Sequence, residues 1–128
     1  MQPEIERTKA FYSIDEEGIL RIRVKDGAKL NEGDVQESFA IYRAWGCDKT
    51  KVLELITVKN IFMLDEEAQK YAAKYSNDFF IAVALVNNST GIRVLLNFYN
   101  TFFNRNMPFK MFPTEARALA WLRTFKKK

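Results

Sequence analysis

Histidine is missing from the chain altogether, and with it the commonest general base, the usual partner of a nucleophilic serine or cysteine, and the commonest metal ligand. Enzymatic function loses most of its ordinary equipment. Cysteine occurs once, at Cys47, which excludes an internal disulfide, a thiol redox pair and a cysteine zinc cluster. Cys47 falls just past a helix end with no thiolate-stabilising group beside it, so it reads as an inert thiol. No apolar run approaches the roughly 20 residues that a membrane-spanning helix needs. Residues 1–9 are mixed polar rather than a signal peptide, and a cytoplasmic location is expected. A glycine-rich phosphate loop is also missing, since Gly33 and Gly91 stand alone. There is no internal repeat, linker or low-complexity stretch, and no cofactor is implied.

What is present is enough for one packed domain spanning residues 1–128. Apolar residues make up 48% of the chain and aromatics 14%, which places it with folded globular proteins rather than disordered ones. The formal charge of +4 is spread along the sequence, apart from Lys126, Lys127 and Lys128. Those three suit a helix C-terminus, where cations complement the helix dipole. A nucleic-acid partner would call for a denser basic stripe, so none is expected.

Hydrophobic periodicity orders the elements. Strands are expected at 11–14 and 19–25, joined by a turn at Asp15, Glu16, Glu17 and Gly18 into an antiparallel hairpin. In the second, Leu20, Ile22 and Val24 alternate with Arg21, Arg23 and Lys25, as when one sheet face is buried and the other wet. Asn31 opens a helix anchored by Val35, Phe39, Tyr42 and Trp45, which Gly46 stops. A strand at 52–56 and a connection over 57–64 lead to Asp65, Glu66 and Glu67, which favour a helix start. That helix carries Ala68, Tyr71, Ala72 and Tyr75 on one face, with Lys70 and Lys74 spaced to pair with Glu66 and Glu67.

Residues 79–86 are almost continuously apolar, the mark of a central strand buried on both faces. A helix with Ile92, Leu95, Leu96, Tyr99 and Phe103 on one stripe comes next, widened by Val94, Phe98 and Phe102. A short strand at 109–112 precedes Pro113 and Thr114, which open a last helix with Ala118, Leu119, Trp121, Leu122 and Phe125 as anchors. The order β-β-α-β-α-β-α-β-α argues an α/β fold: a mostly parallel sheet with an N-terminal antiparallel hairpin. Helices on both faces, or a second subunit, must cover the strand at 79–86.

Several stretches carry a family resemblance: Gly18-Ile19-Leu20 in the hairpin, Gly27-Ala28-Lys29-Leu30 before the first helix, and Val52-Leu53-Glu54-Leu55 followed by Val58-Lys59-Asn60-Ile61. Asp65-Glu66-Glu67-Ala68 and the closing run from Met111-Phe112-Pro113-Thr114 to Ala120-Trp121-Leu122 complete the set. In order and spacing, over nearly the whole chain, these resemble the SpoIIAA-like or STAS/SEC14 superfamily, in a bacterial branch. The resemblance implies a SpoIIAA-like fold and a habit of binding rather than catalysis. Anti-sigma-factor antagonists of that superfamily carry a phosphorylatable serine in an Asp-Ser-x-Gly turn at the start of the second helix. Phosphate there would add up to about two negative charges at a helix N-terminus. Here Phe62 stands for the aspartate, Met63 for the serine and Asp65 for the glycine, and the nearest hydroxyl is Thr57. The phospho-switch is absent, and Phe62, Met63 and Leu64 make the turn apolar.

Two readings of function follow. The first is a non-enzymatic protein-interaction or regulatory module, a homodimer with a further protein partner. The second is a carrier of a small apolar ligand or lipid, suggested by the SEC14-like side of the resemblance. Phe62, Met63 and Leu64, with the surplus aromatics Phe98, Tyr99, Phe102 and Phe103, are the expected partner or ligand surface, because an apolar patch too wide for one core contact marks an interface or pocket. Asn97, Asn100, Asn104, Arg105 and Asn106 would rim it. No metal ligands and no catalytic residues are assigned. The carboxylate runs at Glu16–Glu17 and at 65–67 are accounted for by a turn and a helix start. Glu54 is a carboxylate inside an apolar strand; were it on the wet face with Arg21 or Arg23, a cross-strand ion pair would satisfy it, the alternative being contact with a ligand or partner.

Overall fold

In a computed structural model, residues 1–59, 62–87 and 107–126 are described. Six strands form the main sheet in the order β1-β2-β3-β5-β7-β8: β1 (Gln2–Glu6), β2 (Ala10–Ile14), β3 (Leu20–Val24), β5 (Val52–Val58), β7 (Phe80–Val86) and β8 (Phe109–Phe112). The pairs β1–β2 and β2–β3 are antiparallel, while β3–β5, β5–β7 and β7–β8 are parallel. The expected hairpin and mostly parallel sheet are therefore present, as a single α/β layer arrangement. Gly18 makes the hairpin turn at φ +81°, and the Asp15 carboxylate accepts from the amides of Glu17 and Ile19 to hold it closed.

Three helices flank the sheet among the described residues. Helix α1 (Glu32–Ala44) starts at a capping box, in which the Asn31 side chain accepts from the Asp34 amide and the Asp34 carboxylate accepts from the Asn31 amide. Gly46, at φ +79°, ends it as expected. Helix α2 (Glu66–Tyr75) is capped by Asp65 and carries the expected Lys70 pairs to Glu66 and Glu67 at 3.3 and 3.8 Å. Helix α3 (Glu115–Arg123) is capped by Thr114. Helices α1 and α2 pack with Leu20, Ile22, Val24, Val83 and Leu85 on one side of the sheet. On the other side Ala118, Leu119 and Leu122 of α3 pack on Leu53, Leu55, Ala82, Ala84 and Phe112. Ala82 and Ala84 leave room for the leucines, so β7 is buried on both faces through residues 82–85.

Three features depart from the sequence reading. Residues 1–9, read as mixed polar, contain β1, an edge strand held by Glu4–Arg23 at 2.8 Å and Lys25–Glu6 at 2.5 Å. Its wet faces leave no hydrophobic signal, only Ile5 reaching the core. Strand β5 runs two residues further than expected, to Val58. The connection after it contains β6 (Phe62–Leu64), which pairs in parallel with β4 (Ala28–Leu30) as a separate two-stranded ribbon. Three-residue strands are too short for an alternation to show. The helix expected through Ile92, Leu95, Leu96, Tyr99 and Phe103 falls outside the described residues.

Charge pairs lock the hairpin to α3. Arg21 bridges Asp15 at 2.8 Å and Glu115 at 2.9 Å, and Glu17 accepts from Arg123 and Lys126, both at 2.7 Å. Those hydrogen bonds draw the Glu17 carboxyl down to about 2. Lys126 is thus an ion-pair partner of the hairpin turn, beyond the helix-end role expected for it. Leu122 has no exposed surface. L122A should remove about 3 kcal/mol of stability, measured by urea unfolding, because the cavity left under α3 cannot close against the alanines of β7.

Candidate functional site

The sheet register decides where Glu54 points. Across the face under α1 and α2 runs a row of paired positions, Ile14, Leu20, Glu54, Val83 and Phe109, in which Glu54 is the single polar member. Arg21 and Arg23 pair instead with Leu55 and Thr57, one residue out of phase and on the opposite face. The ion pair expected between Glu54 and those arginines therefore does not form. Arg21 and Arg23 are satisfied by Asp15, Glu115 and Glu4. Glu54 is 5% exposed, inside the larger of the two hydrophobic cores.

Helix α1 supplies its surroundings. Val35, Ser38, Phe39 and Tyr42 recur at helical spacing and face the same cavity as Glu54. The Tyr42 hydroxyl donates to the Glu54 carboxyl. Ser38 donates to the Asp34 carbonyl one turn back at 3.2 Å, and its oxygen shares a hydrogen bond of 2.5 Å with the Tyr12 hydroxyl. Every buried polar side-chain atom among the described residues has a partner. The chain of groups Tyr12, Ser38, Tyr42 and Glu54 is thus a polar thread through an apolar layer.

Burial pushes the Glu54 carboxyl up to about 8, against the smaller opposing effect of the Tyr42 hydrogen bond. Near neutral pH the acid is held protonated. Tyr42 is pushed well above its ordinary value by burial and then by the Glu54 charge, and Tyr12 is raised, first by burial. Cys47, buried next to α1, is raised to about 11 for the same reason, which fits the inert thiol expected.

The cavity beside Glu54 has a volume of about 90 Å³ and is lined from both layers, including Leu30 of β4 and Leu64 of β6. A cavity of roughly 150 Å³ is what a benzene fills, so a lipid chain has no room in this one. The lipid-carrier reading is not favoured by that volume.

The expected surface residues divide. Met63 is 44% exposed on the β4–β6 ribbon, whereas Leu64 is half-buried and packs against the α1/α2 core. Phe62 lies in β6. Phe98, Tyr99, Phe102 and Phe103 fall outside the described residues. What residue-by-residue reading missed is the grouping of Tyr12, Ser38 and Tyr42 around Glu54. Spacing on α1 signals that Ser38 and Tyr42 share a side with Val35 and Phe39, but only strand pairing brings Glu54 to that side.

Residues 12–126 match the family model of a domain of unknown function, DUF7793. Among solved structures the chain is similar to a protein of the DUF3478 family with a SpoIIAA-like fold from Shewanella loihica PV-4, at 18% identity and a TM-score of 0.57, covering 94% of this chain and 90% of that one. It is also similar to the anti-sigma factor antagonist SpoIIAA in its unphosphorylated form, at 16% identity and a TM-score of 0.57, covering 89% of this chain and 97% of that one. No curated protein matches the chain. At these identities the likeness establishes the fold, which is SpoIIAA-like, as the sequence resemblance implied.

The raised Glu54 carboxyl makes stability depend on pH in a definite direction. Between its unfolded value of 4.5 and its folded value of about 8 the native state holds a proton that the unfolded state has lost, so stability falls as pH rises through that window. The slope should approach about 1.4 kcal/mol per pH unit. With no histidine in the chain, little else titrates there. Glu17 acts in a separate window: its stabilisation is present above 4.5 and is lost as pH falls toward about 2. Urea titrations from pH 5 to 8 should show the decline in the wild type and a nearly flat line for E54Q, whose amide cannot ionise.

Proposed function

The chain belongs to the DUF7793 family, and from that membership and its SpoIIAA-like fold we propose that it is a non-enzymatic protein-interaction module which regulates by binding, as a homodimer in the cytoplasm. The observation that carries the reading is the β4–β6 ribbon. It holds Met63 outward two residues before the Asp65 cap of α2, the place where the resemblance puts a switch serine. Few large apolar side chains among the described residues are exposed: Met1, Met63 and Ile81. Methionine is unbranched and polarisable, a side chain that adapts to a partner's surface.

An antagonist of an anti-sigma factor works by engaging another protein, and the same fold here supports the same class of task without phosphate control at this turn. The lack of histidine supports a non-catalytic role. No described helix is long and apolar enough to cross a membrane. Phe62, Leu64, Phe98, Tyr99, Phe102 and Phe103 complete the proposed surface, the four aromatics on the strength of the sequence alone.

Light scattering on the purified chain should give the mass of a dimer. M63D should leave stability within about 0.5 kcal/mol, as expected for an exposed position. It should weaken partner capture, measured by affinity purification from the native host, by an amount typical of an interface anchor, about 2 kcal/mol or roughly thirtyfold in Kd. A monomer whose captured proteins are unaltered by M63D would overturn the proposal.

A further inference from the structure

We infer that the cavity beneath α1 is a binding site for a small organic ammonium ion, held by the Glu54 carboxylate inside a cage of aromatic rings. The inference stands on the cavity and is independent of the partner surface proposed above. Three observations carry it: the charge on the wall, the rings around it and the volume of the cavity.

The wall is apolar apart from a few hydroxyls and one group able to carry a charge in the neutral range, Glu54. Among the described residues, what acts on that carboxyl is its apolar setting and the Tyr42 hydroxyl, with no lysine or arginine against it. The other ionisable groups that feel its charge are Tyr42 on α1, Tyr12 on β2 and Cys47 after α1, each kept neutral by burial. A buried carboxylate without a cation is costly, and a proton neutralises it where no cation is bound. An ammonium ion entering the cavity takes the place of that proton, leaving the net charge of the interior unchanged.

Tyr12, Phe39, Tyr42, Phe80 and Phe109 line the same space. The planes of Tyr12 and Tyr42 meet at 66°, those of Tyr42 and Phe80 at 71°, and those of Phe39 and Phe80 at 88°. These rings pack edge to face on one another around the cavity, so an ion inside it lies beside several of them at once. Ring faces carry the negative lobe of the quadrupole and attract cations, more strongly where water is excluded. A neutral ligand of the same shape lacks both the charge pairing with the carboxylate and the cation–π attraction.

Volume sets the size of the ion. Since about 150 Å³ holds the six heavy atoms of benzene, 90 Å³ holds about four. Propylammonium is of that size. A bare inorganic cation leaves the apolar walls unfilled, and choline, nucleotides and lipids are too large.

Titration calorimetry of the full chain with propylammonium chloride, at a pH of about 7, should show saturable binding with release of about one proton per amine, read from the heats in buffers of different ionisation enthalpy. Propan-1-ol, its neutral counterpart, should bind at least about tenfold more weakly, and E54Q should weaken the amine about tenfold and abolish the proton release. Saturable heat that is absent, equal binding of the alcohol, amine binding without proton release, or undiminished binding to E54Q would each overturn the inference. The comparison with alcohol and the proton count use the unaltered protein, so the test stands even if E54Q folds poorly.

Discussion

Over residues 53–55 of β5 and 82–85 of β7 the sheet has no face to give to water, and the rest of the architecture follows from that constraint. Leu53, Leu55, Ala82 and Ala84 require a cover on one side, and Val58, Val83 and Leu85 on the other. Helix α3 meets the first demand and α1 with α2 the second. Polar residues are thereby displaced to the sheet margins, where β1 exchanges ion pairs with β3 and the hairpin turn is tied to α3 through Glu17. An edge strand dressed in paired charges also gives the sheet a margin that resists unwanted pairing with other chains.

Into this double-faced layer the register places one carboxyl. A buried acid with no cation against it among the described residues gives up its charge rather than stay ionised, and the Tyr42, Ser38 and Tyr12 hydroxyls give the thread of polar groups a defined path. The arrangement is less stable than a leucine in the same position would be expected to make it, by the general rule that apolar groups replace buried polar ones at little or no cost. The cavity beside it lies between the sheet and the two helices that reach the β4–β6 ribbon, through Leu30 and Leu64. Whatever alters the packing around Glu54 is therefore adjacent to the segment that leads into α2.

Much of the fold was legible in order and pattern. The β2–β3 hairpin declares itself by alternation, because one of its faces is wet and the other dry. The three described helices declare themselves by their caps: Asn31, Asp65 and Thr114 all accept the amide bonds that their residue types imply. Strand β8 was legible to the residue. Strand β1 was not, since its pairing rests on ions and backbone and leaves little hydrophobic trace, and neither was the β4–β6 ribbon, three residues to a strand. Of the candidate site, Met63 was recognisable as an apolar residue where a hydroxyl would be expected. The grouping of Tyr12, Ser38 and Tyr42 around Glu54 was not recognisable as a unit.

Glu54 shows where the division falls. Sequence by itself determined that a carboxylate sits within an apolar strand, that α1 carries Tyr42 beside its core-facing Val35 and Phe39, and that histidine chemistry is excluded. It could not determine which side of the sheet receives the acid, because Val52, Leu53, Leu55, Ile56 and Val58 are apolar on both sides of the strand and alternation carries no information there. Pairing of Glu54 with Leu20 rather than with Arg21 decided it. One residue of register, set by the packing of whole elements against each other, separates a surface ion pair from a buried acid beside an aromatic-lined cavity.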